Sequence, residues 1–99
     1  MLMKNKVVVV SGIGPGLGIE LALLAAREGA KAVVLAARTV EKLNAAAQQI
    51  AALNLGTQTL AVPTDISKAD DCKNLIDKTV AAFGTVDALI NGAYIPGKF

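Results

Sequence analysis

Residues 6–18 read KVVVVSGIGPGLG, and the parsing of this stretch decides the fold. Val7 to Val10 are four consecutive β-branched residues. A strand with one face in water alternates apolar and polar side chains, so an unbroken apolar run fits a strand covered on both faces. The run stops at Ser11 and Gly12, and Gly14, Gly16 and Gly18 follow at alternate positions. From Leu17 to Glu28 the chain is rich in Ala, Leu and Glu, as helices are, and Gly29 is placed to close that helix. A buried strand that enters a helix through a glycine-rich loop begins a βαβ unit.

The remaining sequence continues the alternation. Ala32 to Ala37 (AVVLAA) reads as a second strand. Thr39 is a candidate N-cap for the helix that follows it, and Gly56 comes after that helix's last turn. Residues 57–65, TQTLAVPTD, form a third strand with Pro63 near its end. Ser67 is expected to cap a helix running to about Phe83, with Gly84 behind it, and Val86 to Asn91 (VDALIN) is the fourth strand. The order βαβαβαβ with short connections predicts the α/β class: one domain over residues 1–99, a doubly wound parallel sheet with right-handed crossovers and helices on both faces.

Composition narrows the function. Hydrophobic residues make up 54% of the 99-residue chain and charged ones 18%. That is apolar for so small a domain, so either strands are buried on both faces or part of the surface meets more chain or a partner. Arg27, Glu28, Lys31 and Arg38 interrupt every window that approaches the roughly 18 apolar residues of a membrane span. The start, MLMKNKVVVV, lacks the long apolar region and cleavage site of a signal peptide. The single cysteine, Cys72, fits a reducing, cytoplasmic compartment. A net charge of +2 is too weak and dispersed for nucleic acid, and the absence of histidine removes the imidazole base and the commonest metal ligand.

The loop itself discriminates among phosphate-binding designs. A P-loop requires a lysine and a hydroxyl after its last glycine, and neither is present. The G-x-G-x-x-G fingerprint fails because Leu17 stands where its third glycine belongs. Gly12, Gly16 and Gly18 do fit G-x-x-x-G-x-G. In such loops the first glycine allows the turn off the strand, and the next lets backbone approach a pyrophosphate. The last lets the helix pack close to the sheet. The phosphates then meet free N–H groups at the positive end of the helix. A glycine-rich turn without a ligand is the plainer alternative, and the strand-before, helix-after context weighs against it.

The end of the second strand bears on which dinucleotide would bind. NAD sites place a carboxylate there for the ribose hydroxyls. Here Ala37 occupies that place and Arg38 follows, so nothing repels a 2′-phosphate and a guanidinium can grip it. NADP(H) is therefore favoured over NAD(H), although Arg38 also suits a solvated helix start. Asp65, followed by Ile66, is placed either beside an adenine or simply as a charge ahead of a helix.

Together these motifs resemble the short-chain dehydrogenases/reductases. SGIGPGLG is similar to that family's T-G-x-x-x-G-x-G loop with Ser11 for threonine, and AAR to the basic version of its NADP-dependent members. TDI resembles its D-[VI] pair, and VDALINGA its D-x-L-[VI]-N-N-A-G strand. The resemblance implies an oxidoreductase that moves hydride between NADP(H) and a small carbonyl or alcohol substrate, in a homodimer or homotetramer. It places Ser11, Gly12, Gly14, Pro15, Gly16, Leu17 and Gly18 around the pyrophosphate and Arg38 on the 2′-phosphate. Asp65 and Ile66 would meet the adenine, with Asn91, Gly92 and Ala93 near the adjacent ribose. Gly92 and Tyr94 depart from N-N-A-G.

Family members run to about 250 residues with a seven-stranded Rossmann-type sheet ordered 3-2-1-4-5-6-7. This chain is thus expected to be the cofactor-binding N-terminal part, with strand order 3-2-1-4 and without the catalytic serine and Tyr-x-x-x-Lys. A non-catalytic dinucleotide-binding module, sensing or regulatory, or an inactive fragment, is the alternative. Tyr94 and Lys98 match the Y-x-x-x-K spacing, but Pro96 and Gly97 between them oppose the helix that would pair them. No catalytic residue is assigned.

Overall fold

Val7 to Val10 are each at most 1% exposed, and alternate ones face opposite sides of a sheet. The computed structural model describes residues 4–12, 17–65 and 67–91, with only the backbone described at Leu17 and Asn91. Its elements are β1 (Val7–Ser11), α1 (Leu17–Arg27), β2 (Ala32–Ala37), α2 (Val40–Ala52), β3 (Gln58–Pro63), α3 (Ala69–Phe83) and β4 (Ala88–Asn91). All strand pairs are parallel and the sheet order is β3-β2-β1-β4, as the alternation implied.

Two hydrophobic clusters flank this sheet. Val8, Val10, Val33, Leu35 and Ala37 pack with Ala22, Ala25 and Ala26 of α1 and Leu43, Ala46 and Ile50 of α2. On the other face Val7, Val9, Ala32, Val34, Ala36 and Val62 meet Leu75 of α3, with Leu60, Phe83 and Val86 partly buried beside them. Small residues on α1 let that helix lie close to the strands. β1 and β2 are buried along their whole length. The edge strand β4 instead leaves Leu89 61% exposed.

The helix ends follow the sequence except at the start of α3. Gly29 adopts φ 92, a left-handed conformation. Its N–H donates to the Ala26 carbonyl, and the Ala30 N–H reaches Ala25, the paired bonds of a Schellman ending. Gly84 closes α3 in the same region, its N–H donating to the Val80 carbonyl at 2.7 Å. Thr39 does occupy the N-cap of α2, but its side chain makes no capping hydrogen bond. Ser67 is not the N-cap of α3: Lys68 holds that place, and the Ser67 hydroxyl turns back to Asp65 instead.

β4 is two residues shorter than its sequence pattern because Asp87 has another task. Its Oδ2 accepts the N–H of Val7 at 2.8 Å, and its own N–H donates to the Val7 carbonyl at 2.9 Å. This two-point clamp sets the β1–β4 register in which Ser11 lies opposite Asn91. Asp87→Ala leaves the buried Val7 N–H without an acceptor and is expected to cost about 1–3 kcal/mol of stability. Asp87→Asn, which keeps a side-chain acceptor, is expected to cost less. Urea unfolding of the two variants checks this order.

Candidate functional site

Parallel pairing carries the C-terminal ends of all four strands to one edge of the sheet. Ser11, 5% exposed, ends β1 in register with Ala36 of β2 and Asn91 of β4. Ala37 and Pro63 stand opposite each other at the ends of β2 and β3. The pairing extends one step further: the Thr64 N–H donates to the Ala37 carbonyl at 2.8 Å. The buried Thr64 hydroxyl is satisfied by the Val62 carbonyl at 2.9 Å. The backbone leaving β3 therefore stays fastened to β2 and delivers Asp65 into the neighbourhood of Arg38.

Gly12 follows β1 with φ 76, in the region that favours glycine, so the chain turns off the strand where the sequence places the first loop glycine. Gly18 is buried in the first turn of α1, as close helix–sheet approach requires. Gly14, Pro15, Gly16, Ile66, Gly92 and Ala93 lie outside the described residues, as do Tyr94 and Lys98. The structure thus brings Ser11, Gly12, Gly18, Arg38, Asp65 and the backbone of Asn91 to a single edge.

Arg38 is exposed, directly beyond Ala37, whose methyl group packs into the α1–α2 cluster. The end of β2 accordingly presents a cation and no carboxylate. Asp65 is held more elaborately than its sequence suggests. Its Oδ1 accepts both the hydroxyl of Ser67 at 2.6 Å and the Ser67 N–H at 3.0 Å. Its carbonyl accepts the Lys68 N–H, and its own N–H donates to Asp71 Oδ2 at 2.9 Å. Among the described residues, Asp65 Oδ2 receives no hydrogen bond.

The Ser67 hydroxyl, then the Ser67 N–H, hold the Asp65 carboxyl below its ordinary value of 3.8. Partial desolvation opposes them, and the nearby charges of Arg38 and Lys68 add to the lowering. A carboxylate acceptor thus lies beside a solvent-exposed guanidinium, ahead of a glycine turn and a helix N-terminus. That set fits a ligand with both phosphate and a hydrogen-bond donor such as an exocyclic amino group. Ser67 and Asp71 are the parts that reading the sequence missed. The D-x-S triplet at residues 65–67 is the pattern of an Asx-type turn and could have flagged Ser67. Among the described residues no helix is long and apolar enough to cross a membrane. Nor does any group of three or more His, Cys, Asp or Glu there offer a metal site.

The sequence and fold are similar to those of known proteins. The family model described as short chain dehydrogenase matches residues 6–99. An uncharacterised oxidoreductase of Listeria monocytogenes is 42% identical over 99 residues, covering 99% of this chain and 39% of its own length. A short chain dehydrogenase from Mycobacterium smegmatis superposes with a TM-score of 0.88 at 36% identity, over 97% of this chain and 40% of that one. L-sorbose reductase from Gluconobacter frateurii, solved with NADPH and L-sorbose, gives 0.84 at 31% identity, over 94% and 35%. The chain spans about two fifths of the length of the curated relatives it first matches.

The lowered Asp65 carboxyl has a defined pH signature. Whatever stability its ionised form contributes is complete above the ordinary value of 3.8 and is lost as pH falls through the lower folded value. Ser67→Ala removes the largest cause and is expected to move the Asp65 midpoint back up toward 3.8, narrowing the window of acid resistance. Carbon-detected NMR titration of the Asp65 carboxyl in both proteins measures the shift directly.

Proposed function

The chain belongs to the short-chain dehydrogenase/reductase family, and from that premise we propose that it forms the cofactor-binding part of an NADP(H)-dependent oxidoreductase. The observation that carries the NADP(H) preference is the end of β2, where Ala37 is followed by exposed Arg38 and no carboxylate stands in the ribose position. A 2′-phosphate carries charge that an acid there would repel and that a guanidinium can meet with two hydrogen bonds. The NADPH bound by the Gluconobacter reductase supports the same choice.

In this reading the backbone from Ser11 through Gly18 faces the pyrophosphate, with the start of α1 supplying N–H groups and a favourable dipole. Asp65 and Ile66 hold the adenine, and Asn91, Gly92 and Ala93 line the adjacent ribose. The bound cofactor supplies hydride to, or accepts it from, a small carbonyl or alcohol substrate. We assign no proton-transfer group to the described residues. The residues of this chain bind and orient; the chemistry of the whole protein follows from the family.

Titration of the protein with NADPH and NADH by calorimetry tests the proposal. NADPH is expected to bind more tightly, and Arg38→Ala is expected to weaken NADPH roughly 10- to 100-fold while leaving NADH nearly unchanged. Equal affinities in the unmodified protein would refute the NADP(H) preference.

A further inference from the structure

We infer that Asp71 is a positioning residue for the adenine end of the proposed cofactor site, an assignment that rests on the dinucleotide reading above. Asp71 is the third residue of α3. A carboxylate at that position ordinarily turns back to the N–H of the helix's N-cap residue. Here the N-cap is Lys68, and its N–H is already taken by the Asp65 carbonyl at 3.0 Å. Asp71 Oδ2 instead accepts the N–H of Asp65, three residues before the cap and six before Asp71 itself.

The consequence falls on Asp65. Its N–H is held by Asp71, its carbonyl by the Lys68 N–H, and its Oδ1 by two groups of Ser67. The carboxylate is thereby locked in orientation with Oδ2 left as the acceptor for an incoming donor. An adenine amino group has that chemistry. Asp70 also lies in the first turn of α3, so the helix dipole has an acidic partner without Asp71. Dipole compensation alone does not require the Asp71 carboxylate to reach six residues back to the Asp65 N–H. Fastening the Asp65 backbone does require it.

The test compares NADP+ with its analogue in which hypoxanthine replaces adenine, so that a carbonyl stands where the amino group was. The unmodified protein is expected to bind the analogue about tenfold more weakly. Asp71→Ala is expected to bring NADP+ down to the analogue's affinity while leaving the analogue unmoved. Asp71→Asn, which keeps an acceptor for the Asp65 N–H, is expected to retain discrimination, and Ser67→Ala to lose part of it. Hydrogen exchange of the Asp65 amide, slowed in the unmodified protein and Asp71→Asn, should accelerate in Asp71→Ala with or without nucleotide. If Asp71→Ala weakens both ligands equally, or Asp71→Asn weakens them as much as alanine, Asp71 serves the helix alone and the assignment fails. Binding of both ligands with equal affinity by the unmodified protein overturns the assignment but leaves the dinucleotide reading intact. Binding of neither overturns both.

Discussion

Burial of β1 on both faces is the constraint from which the rest of the structure follows. Val7 and Val9 look one way, Val8 and Val10 the other, and none is more than 1% exposed. A strand in that position needs a neighbour on each side for its backbone groups and a helix above and below for its side chains. β2 and β4 supply the first; α1 with α2, and α3, supply the second. Because each connection crosses over a face, every strand points the same way. All four strand ends, and the loops that leave them, are thus delivered to one edge. The site is a product of the topology before any particular side chain is considered.

What the topology places, a few polar contacts hold in register. At the start of β1 the Asp87 clamp ties β4 to Val7, so that Asn91 arrives opposite Ser11 at the other end. At the end of β2 the Thr64–Ala37 bond extends the β3 pairing past Pro63, a residue that has no N–H to give. A proline there is tolerable because β3 is an edge strand. Both fastenings join residues distant in sequence, and both act on the loops that carry candidate ligand contacts.

The fold was legible because its signals are local and redundant. An all-valine run, a glycine turn and an alanine-rich helix each have few alternatives, and their order left one sheet topology for the family resemblance to name. The position of Arg38, exposed directly beyond the end of β2, was legible for a similar reason: the strand it follows is unmistakable. Ser67 was misplaced because a serine just ahead of a helix suits two competing roles, N-cap and Asx-turn partner. The nearer carboxylate of Asp65 won, and Lys68, which has no acceptor in its side chain, took the cap. Asp71 carries no signal of its role in the sequence because its partner is a backbone N–H, and a backbone leaves no mark there. Asp87 escaped in the same way, its partner eighty residues away at Val7.

Ser67 also explains how a carboxylate and a guanidinium can sit close without cancelling each other. Asp65 feels the charge of Arg38, yet among the described residues the two form no ion pair. Had Asp65 been left bare, the nearest cation would be the natural partner for it, and a bidentate pair would occupy the face of Arg38 that a phosphate needs. Two hydrogen bonds from Ser67 to Oδ1 satisfy much of that demand locally. The Asp71 bond to the Asp65 N–H keeps the residue turned toward Ser67. Under the proposed reading, the guanidinium remains available for the 2′-phosphate and Oδ2 for the adenine. A single turn ahead of α3 keeps two opposite charges separately usable.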